Sequence, residues 1–173
     1  MLMSKEINGA LNEQIAHEFM ASIQYVTIAT YFDMEGLPSL GRHFYRQADE
    51  ERAHAMRFVK FIVDAGGRVE IPAIPATRSR FASAEDAVQL SLDQEIKVTE
   101  QISELVDLAI RQNNHITKNF LDWFVREQLE EVSSMDTLLR MIRRAGDKGI
   151  LFVESYLHGS QPTQLSASEG SED

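Results

Sequence analysis

The sequence predicts an all-α protein, a four-helix bundle of up-down-down-up topology with a long crossover between the second and third helices and a short fifth helix at its end. Three observations carry this. Four long segments repeat apolar residues in alternating steps of four and three, the period of a helix face buried against neighbours. Breakers are sparse, four prolines and nine glycines in 173 residues, and the prolines stay out of the segment interiors. One connecting stretch is far longer than the others.

Helix A is expected over about residues 5–32, with the stripe Leu11, Ile15, Glu18, Ser22, Tyr25, Ala29, Phe32. One carboxylate interrupts it. Ser22 can bond the carbonyl one turn back and needs no ligand role. Gly36 suits a helix C-cap and Pro38 the first turn of the next helix, and so short a connection makes helices A and B antiparallel neighbours. Helix B carries Leu40, Phe44, Gln47, Glu51, His54, Phe58, Phe61, Ala65 and ends at Gly66-Gly67. Glu51 and His54, at i and i+3, share a face and are close enough to bind one ion together. Alone, the pair reads as a salt bridge or a satisfied core histidine, because chance E-x-x-H matches are common in helical chains.

Residues 66–83 have no helical period and contain Pro72 and Pro75. Such a stretch reaches roughly 59 Å at about 3.3 Å per residue, whereas a helix of this size is about 42 Å long. The connection can therefore run the length of the bundle and start helix C parallel to helix B. Helix C opens with Ser83 as N-cap and Glu85 and Asp86 in the first turn, then runs Val88, Leu92, Glu95, Thr99, Ile102, Val106, Ala109. After the polar break at residues 112–115, helix D returns with Thr117, Leu121, Phe124, Gln128, Glu131, Met135, Leu138, Ile142, Ala145 and stops at Gly146. A fifth segment, about residues 147–157, is too apolar to hang free on a monomer and suggests a subunit contact. Residues 1–158 form one domain, and residues 159–173, rich in Ser, Gln, Glu and Gly, read as a disordered tail.

Composition narrows the chemistry. Without cysteine there is no disulfide, thiolate zinc site or iron–sulfur cluster, so any metal must take oxygen and nitrogen ligands. A formal charge of −10 opposes nucleic-acid binding and suits attraction of cations. No apolar run is long enough to span a membrane, and residues 1–12 lack the apolar core of a signal peptide. A cytoplasmic location is expected.

Each of the four stripes breaks near its middle: at Glu18; at Glu51 and His54; at Glu95; and at Gln128 and Glu131. At matching depth these place four carboxylates, one imidazole and one amide in a single buried layer, which repulsion forbids without cations. Two divalent ions satisfy it, the arrangement general to di-iron carboxylate bundles. Oxygen-rich ligands with one imidazole suit iron, manganese or zinc, and only iron or manganese adds oxygen chemistry. Glu51 is the simplest shared ligand. Tyr25 could supply an electron or a hydrogen bond, or be a core aromatic with a satisfied hydroxyl. Trp123, one turn before Glu127, could pack over the site or be a core aromatic, and His17, His43 and His115 fall off the stripes as surface residues.

On Glu18, Tyr25, the run EERAH at 50–54, Glu95, Trp123 and the run EQLEE at 127–131, the chain resembles a non-haem bacterial ferritin across residues 5–158. The resemblance implies a first iron site at Glu18, Glu51 and His54 and a second at Glu51, Glu95 and Glu131, with Gln128 nearby. It further implies a ferroxidase that oxidises Fe(II) with O2 or peroxide and stores ferric mineral in a hollow 24-subunit shell. Haem is not expected, because Arg52 stands where haem-binding relatives carry Met. Those relatives also repeat E-x-x-H on helix D, where this chain has Gln128 and Glu131; a neutral amide oxygen is a poorer ligand, so the second site should be weaker. Glu127 and Glu130 are turned about 100° from Gln128 and Glu131, and Glu50 likewise from Glu51, so all three face off the bundle axis. The resemblance implies a third iron there. Two rivals remain at this level: a rubrerythrin-like di-iron or di-manganese oxidase or peroxidase that does not store, and a helical interaction bundle whose polar layer only fixes register.

Overall fold

The computed structural model describes residues 2–159, which form four α-helices: α1 (Lys5–Met34), α2 (Pro38–Asp64), α3 (Ala84–Arg111) and α4 (His115–Gly159). Local chemistry sets the boundaries. The hydroxyls of Ser4 and Ser83 accept from the Ile7 and Asp86 amides and so cap α1 and α3. Gly36 and Gly66 take φ of 74°, the left-handed conformation that ends α1 and α2 at little steric cost to glycine.

α1 packs on α2 and α3, and α4 on α3 and α2, which leaves α1 opposite α4 and α2 opposite α3. The crossover is bound along α1. Asn8 and Asn12 hold the backbone of Arg68 and Glu70 near the start of that helix, and Gln24 and Thr27 hold Arg78 further along it. Since α1 and α2 are antiparallel, a chain led from the start of α1 toward its end delivers α3 parallel to α2, the expected topology.

The apolar core is divided. One cluster, around Phe32, Leu40, Phe44, Val88, Leu139 and Ile142, fills one end of the bundle. Another, around Leu11, Phe58, Ile62, Ile102, Leu121 and Phe124, fills the other. The stripe-breaking polar residues lie in sequence between the two, on every helix.

Helix D breaks at Gly146, as expected, and what differs is the connection to the segment that follows. No loop separates it from helix D; Gly146 alone, at φ 58° and ψ −179°, kinks α4, and the helix resumes through Gly159. A backbone without Cβ absorbs the turn in one residue, so the terminal helical turns follow helix D directly, within the span of α4. They fold back on α2, where the Glu154 carboxylate accepts from the amides of Ser39 and Leu40. His43, expected at the surface, is buried, and lines a cavity with Tyr156 and Leu157. Ser22 departs as well: its hydroxyl crosses to the Ala48 carbonyl of α2, at 2.6 Å, instead of bonding one turn back. Of the proposed tail only Gly159 is described, closing α4; residues 160–173 lie outside the described residues.

Candidate metal centre

The midpoints of the helices bring Glu18, Tyr25, Glu51, His54, Glu95, Gln128 and Glu131 inward, each less than a tenth exposed. Ligand atoms of Glu18, Glu51 and His54 all lie within 4.8 Å of one another. The Glu51 Oε2 is 3.2 Å from His54 Nδ1, and the imidazole stands edge-on to Trp123 and Phe124, with ring centroids 5.4 and 5.8 Å away. Trp123 therefore packs over the site, between Phe124, 4.8 Å away centroid to centroid, and the Arg57 guanidinium, 3.6 Å from its ring centroid.

Hydrogen bonding divides the carboxylates. Glu18 Oε1 accepts from Gln14 Nε2 at 2.8 Å. Glu18 Oε2 and Glu51 Oε1 are buried without a donor among the described residues. Glu95 is satisfied, by the Tyr25 hydroxyl on one oxygen and by Gln128 Nε2, at 3.2 Å, on the other. Glu131 Oε2 accepts from Gln47 Nε2 at 2.9 Å. A carboxylate oxygen accepts only, and one buried without donor or cation is costly. The two donor-less oxygens, beside an imidazole, fit a cation.

Electrostatics says the same. Burial, then the facing Glu51, pushes the Glu18 carboxyl well above the usual carboxylate range. Burial, then Glu95, does so for Glu51. Burial raises Glu95, and burial followed by repulsion from Glu95 brings Glu131 up to about 7. The Tyr25 phenol is held well above its ordinary value by burial and then by Glu95, so it stays a donor. Without a cation the layer holds protons in its place.

The off-axis residues are less closely drawn together. Glu127 joins His54 and Glu131 in a second group whose ligand atoms lie within 4.8 Å. Glu50 and Glu130 belong to neither group; Glu50 lies 3.7 Å from Arg46, with its carboxyl raised by burial, and Glu130 is exposed. Sequence reasoning gave no role to Gln14 or Gln47, which supply the amide donors to Glu18 and Glu131. Their only signal is a polar residue four positions before a stripe-breaking glutamate, on a turn the bundle buries.

A bundle whose helices present an inward layer of glutamates and a histidine is of the carboxylate metal-binding class. Residues 8–145 match the family model described as ferritin-like domain, and the chain belongs to that family. It is 41% identical to "Ferritin BfrB" of Mycolicibacterium smegmatis over 97% of this chain and 96% of that one. It is 35% identical to "Bacterial non-heme ferritin" of Staphylococcus aureus over 84% and 88%. The open pore ferritin of Archaeoglobus fulgidus superposes with a TM-score of 0.89 at 33% identity, covering 92% of this chain and 99% of that one. Iron storage is the function that this membership supports. No helix among the described residues is long and apolar enough to cross a membrane.

Proposed function

We propose that this protein is a ferroxidase and iron store, oxidising Fe(II) inside each subunit and depositing Fe(III) as mineral within a closed homo-oligomeric shell. The observation that carries the reading is the buried group of Glu18, Glu51 and His54 with its two donor-less carboxylate oxygens. Fe(II) is the substrate. Glu18, Glu51 and His54 bind the first ion; Glu51, Glu95 and Glu131 bind the second, with Gln128 beside it. Fe(II) displaces the protons that burial holds on these carboxyls.

Each Fe(II) gives up one electron. O2 takes two electrons and two protons to become hydrogen peroxide. Where peroxide is the oxidant, two further electrons and two protons break its O–O bond to give two waters. Tyr25 holds Glu95 through its hydroxyl, and Trp123 and Phe124 wall His54 from water. Glu50, Glu127 and Glu130 form a third, outer iron site, and Glu131, grouped with Glu127 on one side and repelled by Glu95 on the other, connects it to the pair. No haem is required. A shell of 24 subunits and residence in the cytoplasm belong to the same reading.

The test is to add excess Fe(II) in air to the purified ion-free protein and follow oxidation, particle mass and retained iron. Hundreds of soluble iron atoms per shell are expected. Oxidation without retention would leave only the oxidase or peroxidase alternative, and no oxidation would sink both.

A further inference from the structure

Gln14 lies on α1 one turn before Glu18 and is 2% exposed. Its Nε2 donates to Glu18 Oε1 at 2.8 Å, and its Oε1 lies 3.4 Å from His17 Nδ1. The polarity of this chain follows once Glu18 is ionised, as a bound cation requires. The carboxylate then accepts only, so the amide presents its NH2 to Glu18 and its oxygen to His17, whose Nδ1 carries the hydrogen. His17 is half-buried and lines, with Gln14, Glu13, Gln101 and Glu104, a cavity of about 300 Å³ between α1 and α3. The chain thus begins in a groove and ends on the metal-facing carboxylate.

Glu18 has one donor and one oxygen without any. Tethering Oε1 stops the carboxylate from turning and leaves Oε2 as the atom presented to an ion. We propose that Gln14 is a positioning residue for the metal centre: its amide, oriented by His17, fixes the rotation of the Glu18 carboxylate so that Oε2 is held ready for the first cation. The inference rests on the ferroxidase reading for the identity of the ion but not for its test, which needs no oxidation. Groups one step from the ligands typically change metal affinity 10–100-fold when removed, because they set the orientation in which the ligand waits.

The probe is Co(II), added to the full-length ion-free protein without oxidant and followed by calorimetry and by its visible absorption bands, which report coordination geometry. Gln14→Met keeps the volume and removes the donor. It is expected to weaken the tightest class of Co(II) sites about 10–100-fold and to shift the absorption bands. A role limited to packing would leave the bands where they are. His17→Phe, at a half-buried position whose loss leaves the core intact, removes the group that orients the amide and is expected to lose affinity in the same class. Parent affinity and parent bands in Gln14→Met overturn the proposal; should that variant not fold, parent behaviour in His17→Phe overturns it. A parent protein that binds no Co(II) tightly takes the ferroxidase reading down as well.

Discussion

The side-chain amide of Gln128 on α4 donates to Glu95 on α3 twice over, to Oε2 and to the main-chain carbonyl, each at 3.2 Å. With the Tyr25 hydroxyl on Oε1, both Glu95 oxygens have donors, unlike those of Glu18 and Glu51. The amide therefore holds one side of the layer together when no ion is present, which an ionised carboxylate there could not do. Gln128→Glu should destabilise the ion-free protein by on the order of 1–3 kcal/mol, the cost of a buried acceptor stripped of its partner. It should also enlarge the stabilisation given by added Zn(II), because a charged ligand replaces a neutral one. Calorimetric melting with chelator and with Zn(II) measures both, and unchanged ion-free melting would show that the amide is not needed there.

The separation of an inner group from outer carboxylates predicts unequal kinetics. Glu18→Ala or His54→Ala removes an atom of the closest cluster and should slow the initial burst of Fe(II) oxidation by more than about a hundredfold, beyond the 10–100-fold that loss of a supporting residue costs. Glu130→Ala, at an exposed position outside both ligand groups, should leave the burst and alter later turnovers. Stopped-flow absorbance at successive iron additions resolves the two, and equal effects would refute the division into paired and outer sites.

The raised carboxyls make stability depend on pH in a set direction. Glu18, Glu51 and Glu95 are raised by burial, and Glu131 reaches about 7. An acid whose folded pKa lies above its unfolded one binds protons more tightly when folded. Its contribution is present at low pH and is lost as pH climbs from the ordinary carboxylate range through the folded value. The melting temperature of the chelated protein should thus fall between about pH 5 and about pH 8. Cations, which displace those protons, should bind more tightly over the same interval and reverse the fall. A chelated protein whose stability rises across this range would show that these groups do not dominate its titration.

What was legible in the sequence follows from how sharply each residue contrasts with its surroundings. A charge inside an apolar stripe stands out residue by residue, so Glu18, Glu51, His54, Glu95 and Glu131 were visible along with the helices that carry them. Gln14 is uncharged and adjoins its stripe, so its burial depends on which neighbouring helix closes over it; Gln47 lies in its stripe, but an uncharged amide there does not reveal that it donates to Glu131 on another helix. The Ser22 bond to Ala48 turns on the same cross-helix packing. His43 falls off the stripe yet is buried, beside a cavity that α4 lines both before and after its fold-back at Gly146, and burial lowers its imidazole to about 4. Helical periodicity carries no information about that fold-back, since the turn producing it takes one glycine and no loop.

That turn gives the last prediction. α2 starts at Pro38 with no side-chain cap of its own, and Glu154 supplies one from the far side of the kink. Losing a cap costs about 0.5–2 kcal/mol, so Glu154→Ala should speed hydrogen exchange at the Ser39 and Leu40 amides by about 2–30-fold, the same energy expressed as an opening constant. Gly146→Ala should act further upstream. A Cβ at Gly146 meets nothing within 4 Å, so contact does not forbid it. The cost is the backbone conformation itself, about 1–3 kcal/mol for a residue with a side chain. Alanine also favours the straight helix by about 1 kcal/mol over glycine. Both terms straighten α4 and draw Glu154 off α2, so exchange should quicken at Ser39 and Leu40 even though Glu154 is intact, and His43 should gain solvent exposure. Fast exchange in Glu154→Ala with parent exchange in Gly146→Ala would mean that packing around Val153, not the glycine, holds the kink.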